Sequence, residues 1–188
     1  MSEPAVVAVF GSSATAPGTP RWVEAENVGR RLADVGLGVV TGGYGGSMEA
    51  VSRGAATAGG HVIGVTSPAL FPGRSIANAH VGRLIEAPSL TERIGAMMSV
   101  SCGVIALPGS IGTATELLLA WNINHIVRHN GGERVPTVAV GEGWGELHAV
   151  MTSRIGASPH DVQVTATGEE ATEWLLEQPE VNRHLTTQ

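Results

Sequence analysis

Apolar residues in this chain follow two rhythms that alternate along its length. Short, nearly unbroken runs such as Val6-Val-Ala-Val-Phe10, His61-Val-Ile-Gly-Val65 and Gly103-Val-Ile-Ala-Leu107 give way to stretches where apolar positions recur every three or four residues. The first rhythm belongs to strands buried on both faces, the second to helices with one apolar side. The pattern predicts a strand over 6–10, then a helix over about 22–35 whose face is Trp22, Ala25, Val28, Leu32 and Val35. A strand over 37–41 follows, then a helix carried by Met48, Val51, Ala55 and Ala58, which Gly59-Gly60 stops before the strand 61–65. Residues 66–79 hold two prolines and no period, and read as an excursion loop. A short strand at Arg83–Glu86 precedes Ser89-Leu-Thr-Glu92, the spacing of a capping box, which opens a helix with Ile94, Met97, Met98 and Val100 on its apolar side. The remainder reads as a strand at 103–107, a long helix over 113–129, a strand at 135–140, a helix over 145–155, a strand-like run at 162–166 and a helix over 169–178.

Six or seven strand–helix units with strands of this kind predict an α/β fold: a doubly wound, mostly parallel sheet with helices on both faces. No linker, repeat or low-complexity tract interrupts the 188 residues, so a single domain over 1–188 is expected. Such folds bind ligands beyond the carboxyl ends of their strands. Glycine-rich turns beginning at Gly11, Gly42 and Gly109 all fall at predicted strand ends, and their coincidence points to a nucleotide or sugar-phosphate site.

Composition narrows the partners. The net charge is −6 with no basic cluster, which argues against duplex nucleic acid and anionic membranes. No apolar run approaches the ~20 residues a membrane helix needs. The one cysteine, Cys102, has no partner for an intramolecular disulfide, and Met1-Ser-Glu-Pro4 lacks the charged and apolar regions of a signal peptide. A cytoplasmic protein is expected.

The richest segment is Leu107-Pro-Gly-Ser-Ile-Gly-Thr-Ala-Thr-Glu116, a glycine turn leading from a buried strand into a helix. The first N–H groups of such a helix have no internal partner and lie at the positive end of its dipole, a ready site for an anion. Glu116 follows within the first turn. The spacing Thr113-x-x-Glu116 is also that of a capping box, so the carboxylate has a structural reading beside the chemical one. Arg93 near a helix start opposes the dipole, a cost that a carboxylate partner such as Glu116 would offset. The turn lacks the Lys-Ser/Thr ending of an ATP-binding P-loop, and Gly11-Ser-Ser-Ala-Thr-Ala-Pro-Gly18 is not a dinucleotide fingerprint. Cys102 reads as core rather than nucleophile, and Tyr44 as solvent-facing ahead of stacking on a base. His125 and His129 share a helix face but have no third ligand, so no metal is expected.

Three segments in order, Thr41-Gly-Gly-Tyr-Gly-Gly-Ser-Met-Glu-Ala50, Arg93-x-x-x-Met97 and Pro108-Gly-Ser-Ile-Gly-Thr-Ala-Thr-Glu116, resemble the LOG (Lonely Guy) family, nucleoside 5′-monophosphate phosphoribohydrolases once labelled lysine decarboxylases. The resemblance runs from about Val6 to Trp121. It implies a Rossmann-like fold, a homodimer with sites near its interface, and hydrolysis of the N-glycosidic bond of a cytokinin ribotide or AMP to free base and ribose 5-phosphate. By position it makes Arg93 and Glu116 catalytic. Gly11, Ser12, Gly42, Gly43, Gly46, Gly109, Ser110, Ile111, Gly112 and Thr113 would hold phosphate and ribose, and Met97 would stand at the base pocket. No cofactor is implied. Two positions depart from the family pattern: Ser110 replaces a glycine, and Ile94 a lysine. They motivate an alternative, a non-catalytic nucleotide sensor or a carrier of a phosphorylated cofactor such as the molybdenum cofactor. Decarboxylation through a pyridoxal Schiff base needs a lysine, and the chain has none. The helix from Thr113 is apolar on several sides (Leu117, Leu118, Leu119, Trp121, Ile123, Ile126, Val127), which predicts burial nearly all round, by the core or by a second subunit.

Overall fold

The computed structural model describes residues 4–73 and 76–185. Met1 to Glu3, on which the signal-peptide reading partly rests, and residues 74–75 of the excursion loop lie outside the described residues. The elements in chain order are β1 (Val6–Phe10), α1 (Pro20–Asp34), β2 (Gly38–Thr41), α2 (Ser47–Thr57), β3 (Val62–Thr66), β4 (Arg83–Glu86), α3 (Leu90–Ser99), β5 (Ser101–Ala106), α4 (Ile111–His129), β6 (Thr137–Val140), α5 (Glu142–Arg154), β7 (Gln163–Thr165), α6 (Gly168–Glu177) and α7 (Pro179–Asn182). The seven strands form one sheet in the order β4-β3-β2-β1-β5-β6-β7, and every pairing is parallel. This is the doubly wound α/β fold the two rhythms predict, and the Rossmann-like fold the family resemblance implies.

The alternation of side chains along a strand divides the core. Val7 and Val9 of β1 face a cluster supplied by α1, α2 and α6, including Trp22, Leu32, Val51 and Leu175. Val6, Ala8 and Phe10 face the other side, where Ile94, Met97 and Met98 of α3 and Ala120 of α4 pack. Ile94 therefore belongs to the apolar face of α3. At the α1–α2 contact, Gly29 lies against the backbone of Val51, and Gly54 against that of Glu26. Side chains at those positions would hold the two helices apart.

Helix starts fall earlier than apolar periodicity alone predicts, because the capping residues are polar. Thr19 caps α1 with Pro20 at its first position, and α4 starts at Ile111 with Ser110 as cap. α5 begins at Glu142 after Gly141, which has φ 103. Within α4, Leu117, Ala120, Trp121 and Asn124 are buried, Leu119 and Ile123 are partly covered, and Ile126 is 50% exposed. One chain thus leaves an apolar stripe of this helix open. No helix among the described residues is long and apolar enough to cross a membrane.

Candidate active site

Because all strands are parallel, the turns after β1, β2 and β5 open on one edge of the sheet. The chain leaves β1 toward α1 and β2 on one side, while β5 and β6 continue on the other, so β1 and β5 border the switch point where doubly wound folds hold their ligands. A cleft of about 300 Å3 lies there, with Phe10 and Gly11 from the end of β1, Gly42 and Met48 from the second turn, and Ser110, Gly112 and Thr113 from the third.

Arg93 and Glu116 meet in this cleft. Ser89 caps α3, its Oγ accepting from the Glu92 N–H at 3.2 Å and donating to the Glu92 carboxylate at 2.6 Å. Glu92 thereby takes the place at the positive helix end, and Arg93 turns inward, only 5% exposed. Its Nε donates to the Val65 carbonyl at 2.8 Å, Nη2 to the Gly42 carbonyl at 3.1 Å, and Nη1 to Glu116 Oε1 at 3.4 Å. The guanidinium carbon stands 5.7 Å from the centre of the Tyr44 ring, within reach of a cation–π attraction. Gly42 is needed for this approach, since a Cβ there would overlap the guanidinium.

Glu116 lies in the second turn of α4 rather than the first, 8% exposed. It caps no helix N–H among the described residues; its carboxylate points to Arg93. Burial pushes its pKa up to about 7, and the attraction of Arg93 only partly opposes that rise. A carboxyl that titrates near neutrality is suited to giving or taking a proton.

The start of α4 faces the same cleft. Ser110 is extended (φ −110, ψ −164), so a side chain is accommodated here without the left-handed backbone that would favour glycine, and its hydroxyl caps no N–H. The first intrahelical bond is from Ala114 N–H to the Ser110 carbonyl, which leaves the N–H groups of Ile111, Gly112 and Thr113 without helical partners. Gly109 packs against the Thr113 side chain, where a Cβ would collide. The Trp144 indole donates to the Leu107 carbonyl at 3.0 Å, pinning the strand end that carries the turn.

The other expected residues shape the cleft rather than line it. The carbonyl of Ser12 accepts from Ser47 N–H at 2.8 Å, joining the first turn to the second. Gly43 (φ 76) and Gly46 (φ 71) supply the left-handed backbone of the second turn, and Gly46 sits tight against Ser12 and Ser13. Ile111 is 83% exposed and outside the cleft. Two expectations are corrected. Met97, assigned to the base pocket, is wholly buried under the sheet between α3 and β1; the thioether in the cleft is that of Met48, 4.0 Å from Arg93 Nη2. Tyr44, read as solvent-facing, is 4% exposed, because Ser67, Phe71 and Asn78 of the loop return over it. That loop also brings Phe71 into the cleft. Its absence of period hid this residue; the sparse aromatics of the chain were the available signal. A larger open groove of about 800 Å3 beside α1 and α6 contains none of these residues, and its Arg31 is already paired with Glu169 and Glu173.

Several known proteins are similar to this chain. Over 143 residues the chain is 32% identical to a cytokinin riboside 5′-monophosphate phosphoribohydrolase of Mycobacterium marinum, covering 75% of this chain and 72% of that protein. It is 35% identical over 113 residues to a probable enzyme of the same name from rice, and 35% identical over 106 residues to a pyrimidine/purine nucleotide 5′-monophosphate nucleosidase of Escherichia coli. The chain spans 46% of the rice protein and 23% of the bacterial one. Among solved structures, the Moco carrier protein of Chlamydomonas reinhardtii superposes with a TM-score of 0.69 at 25% identity, covering 99% of this chain and 100% of that one. A molybdenum cofactor binding protein of Rippkaea orientalis gives 0.71 at 21% identity, covering 93% and 96%, a likeness of fold. The family model described as the SLOG cluster4 family matches residues 4–151, a span that contains the three glycine turns, Arg93 and Glu116, so the chain belongs to the SLOG cluster4 family.

Proposed function

We propose that this protein hydrolyses the N-glycosidic bond of a nucleoside 5′-monophosphate, AMP or a cytokinin ribotide, to free base and ribose 5-phosphate. The observation that carries the reading is the buried Arg93–Glu116 pair beside the uncapped start of α4 in one nucleotide-sized cleft. The names of the relatives support the same chemistry.

In this reaction the 5′-phosphate sits at the N–H groups of residues 111–113, with the Ser110 and Thr113 hydroxyls close by. Binding there aligns the sugar with the carboxyl. As the C1′–N bond breaks, its electron pair leaves with the base and the ribose gains oxocarbenium character. Ionised Glu116 stabilises that charge and accepts a proton from the attacking water, whose hydroxyl bonds to C1′. The proton held on Glu116 then passes to the leaving base nitrogen, so one water is consumed and the carboxylate is restored. Arg93, fixed by two main-chain carbonyls, holds Glu116 in position. Neither a metal nor a redox cofactor enters these steps. We further take the protein to be a cytoplasmic homodimer that uses the open stripe of α4.

Incubation with AMP and with isopentenyladenosine monophosphate, followed by chromatography of base and ribose 5-phosphate, tests the reading. Base release is expected, and Glu116→Gln should reduce it by about 100-fold or more while leaving the fold intact. A Glu116→Gln protein that retains turnover overturns the assignment. A second reading, a carrier of a phosphorylated cofactor, draws on the full-length likeness to the Chlamydomonas carrier. Tight nucleotide binding with no base release from either substrate would favour it.

A further inference from the structure

The chain has two phenylalanines and one tyrosine, and all three (Phe10, Tyr44 and Phe71) line the one cleft that holds Arg93 and Glu116. Tyr44 and Phe71 form an edge-on pair, ring centres 5.5 Å apart and planes at 71°. Tyr44 is held at both ends. Its hydroxyl accepts from the Ser67 N–H at 2.8 Å, and its carbonyl accepts from Asn78 Nδ2 at 3.1 Å. Ser67 also founds the turn that carries Phe71, its carbonyl accepting from the N–H groups of Leu70 and Phe71 at 3.1 and 3.2 Å. Tyr44 is therefore a buried support that also receives the Arg93 cation, whereas Phe71 is only partly covered and presents ring area at the cleft.

Sheet order gives the cleft a direction. Phe71 follows β3, Tyr44 follows β2, Phe10 ends β1, and Ser110 to Glu116 follow β5. These strands are consecutive in the sheet, so the aromatic end and the start of α4 are separated by three strand spacings, roughly 14 Å. An anion site at one end and rings at the other suit a ligand with phosphate at one end and a flat heterocycle at the other.

We propose that Phe71, supported edge-on by Tyr44, is the specificity-determining surface on which the planar base of the ligand stacks. The inference rests on the phosphoribohydrolase reading for the orientation of the ligand. Stacking on an aromatic side chain depends on ring area, so it selects fused heterocycles over the bare sugar phosphate.

Calorimetric titration of AMP and of ribose 5-phosphate, all in a Glu116→Gln background to prevent turnover, tests it. Phe71→Leu should weaken AMP roughly tenfold and leave ribose 5-phosphate within about twofold, and Phe71→Trp should restore AMP binding. Equal weakening of both ligands, or of neither, overturns the proposal. Should the leucine variant fail to fold, Phe71→Trp decides alone: AMP bound at least as tightly as in the parent, with ribose 5-phosphate unchanged, supports the stack, and weaker AMP binding overturns it. A parent that binds no AMP also overturns it. Base release assayed with otherwise native protein separates the two readings. A selective Phe71 effect without base release keeps the stacking surface and removes the hydrolase; base release with no Phe71 effect does the reverse.

Discussion

At the scale of single residues, the molecule concentrates its electrostatic cost at Glu116. The native carboxyl titrates at about 7 against an ordinary value of 4.5, so between those values the folded state holds a proton that the unfolded state has released. Its contribution to stability is complete below 4.5 and is lost as pH rises through about 7. Chemical denaturation at several pH values should show a decline on the order of 3 kcal/mol across that window. Glu116→Gln should flatten the slope, whatever it does to the absolute stability now that Arg93 lacks its partner. In the proposed reaction the ionised carboxylate takes the proton from water, so kcat/KM should climb through about pH 7 and level off above it. A profile that falls over the same range would assign the protonated form instead. Pairing of Arg93 with Glu116 was legible in the sequence because a cation at a helix start demands a partner. The burial of Tyr44 was not. It depends on Ser67 and Asn78, more than twenty residues away, returning to bond it.

Among the elements, strand and helix rhythm located every strand, including the short Arg83–Glu86 edge, and every helix but α7. That helix has four residues, too few for a period to register. Helix starts shifted where a polar cap lies ahead of the first apolar residue, as at Ser110 before α4, and the shift moved Glu116 from a capping position to one facing the cleft. The contact between α1 and α2 relies on two glycines whose neighbours are backbone atoms, which cannot rotate away. Gly29→Ala should therefore cost about 1–3 kcal/mol or more in urea denaturation, with little change in the denaturant slope. A neutral result would mean that the two helices can separate at little cost.

On the scale of the whole molecule, the hydrophobic pattern of α4 exceeds what one chain covers: Leu119, Ile123 and Ile126 fall on one stripe, and Ile126 is half exposed. If a second copy covers that stripe, light scattering should give twice the 19.3 kDa chain mass, and Ile126→Glu should shift it toward the single chain. A protein that scatters as a monomer before and after the change would leave the stripe to some other contact. The order of the strands was not readable from the pattern, which fixes which segments are strands but not which are neighbours. The parallel sense was readable, and it sufficed to bring the three glycine turns to one edge.

The side chain of Arg93 bonds to the ends of β2 and β3 and to α4, so it joins three segments that are distant in sequence. Losing the chemistry would not release it from that duty. A descendant that had ceased to turn over nucleotides would still be under pressure to keep the arginine, simply to hold those segments together, whereas the glutamate, whose burial costs stability, would be free to change. Within such a lineage the arginine alone is a mark of common architecture, and activity has to be established one protein at a time.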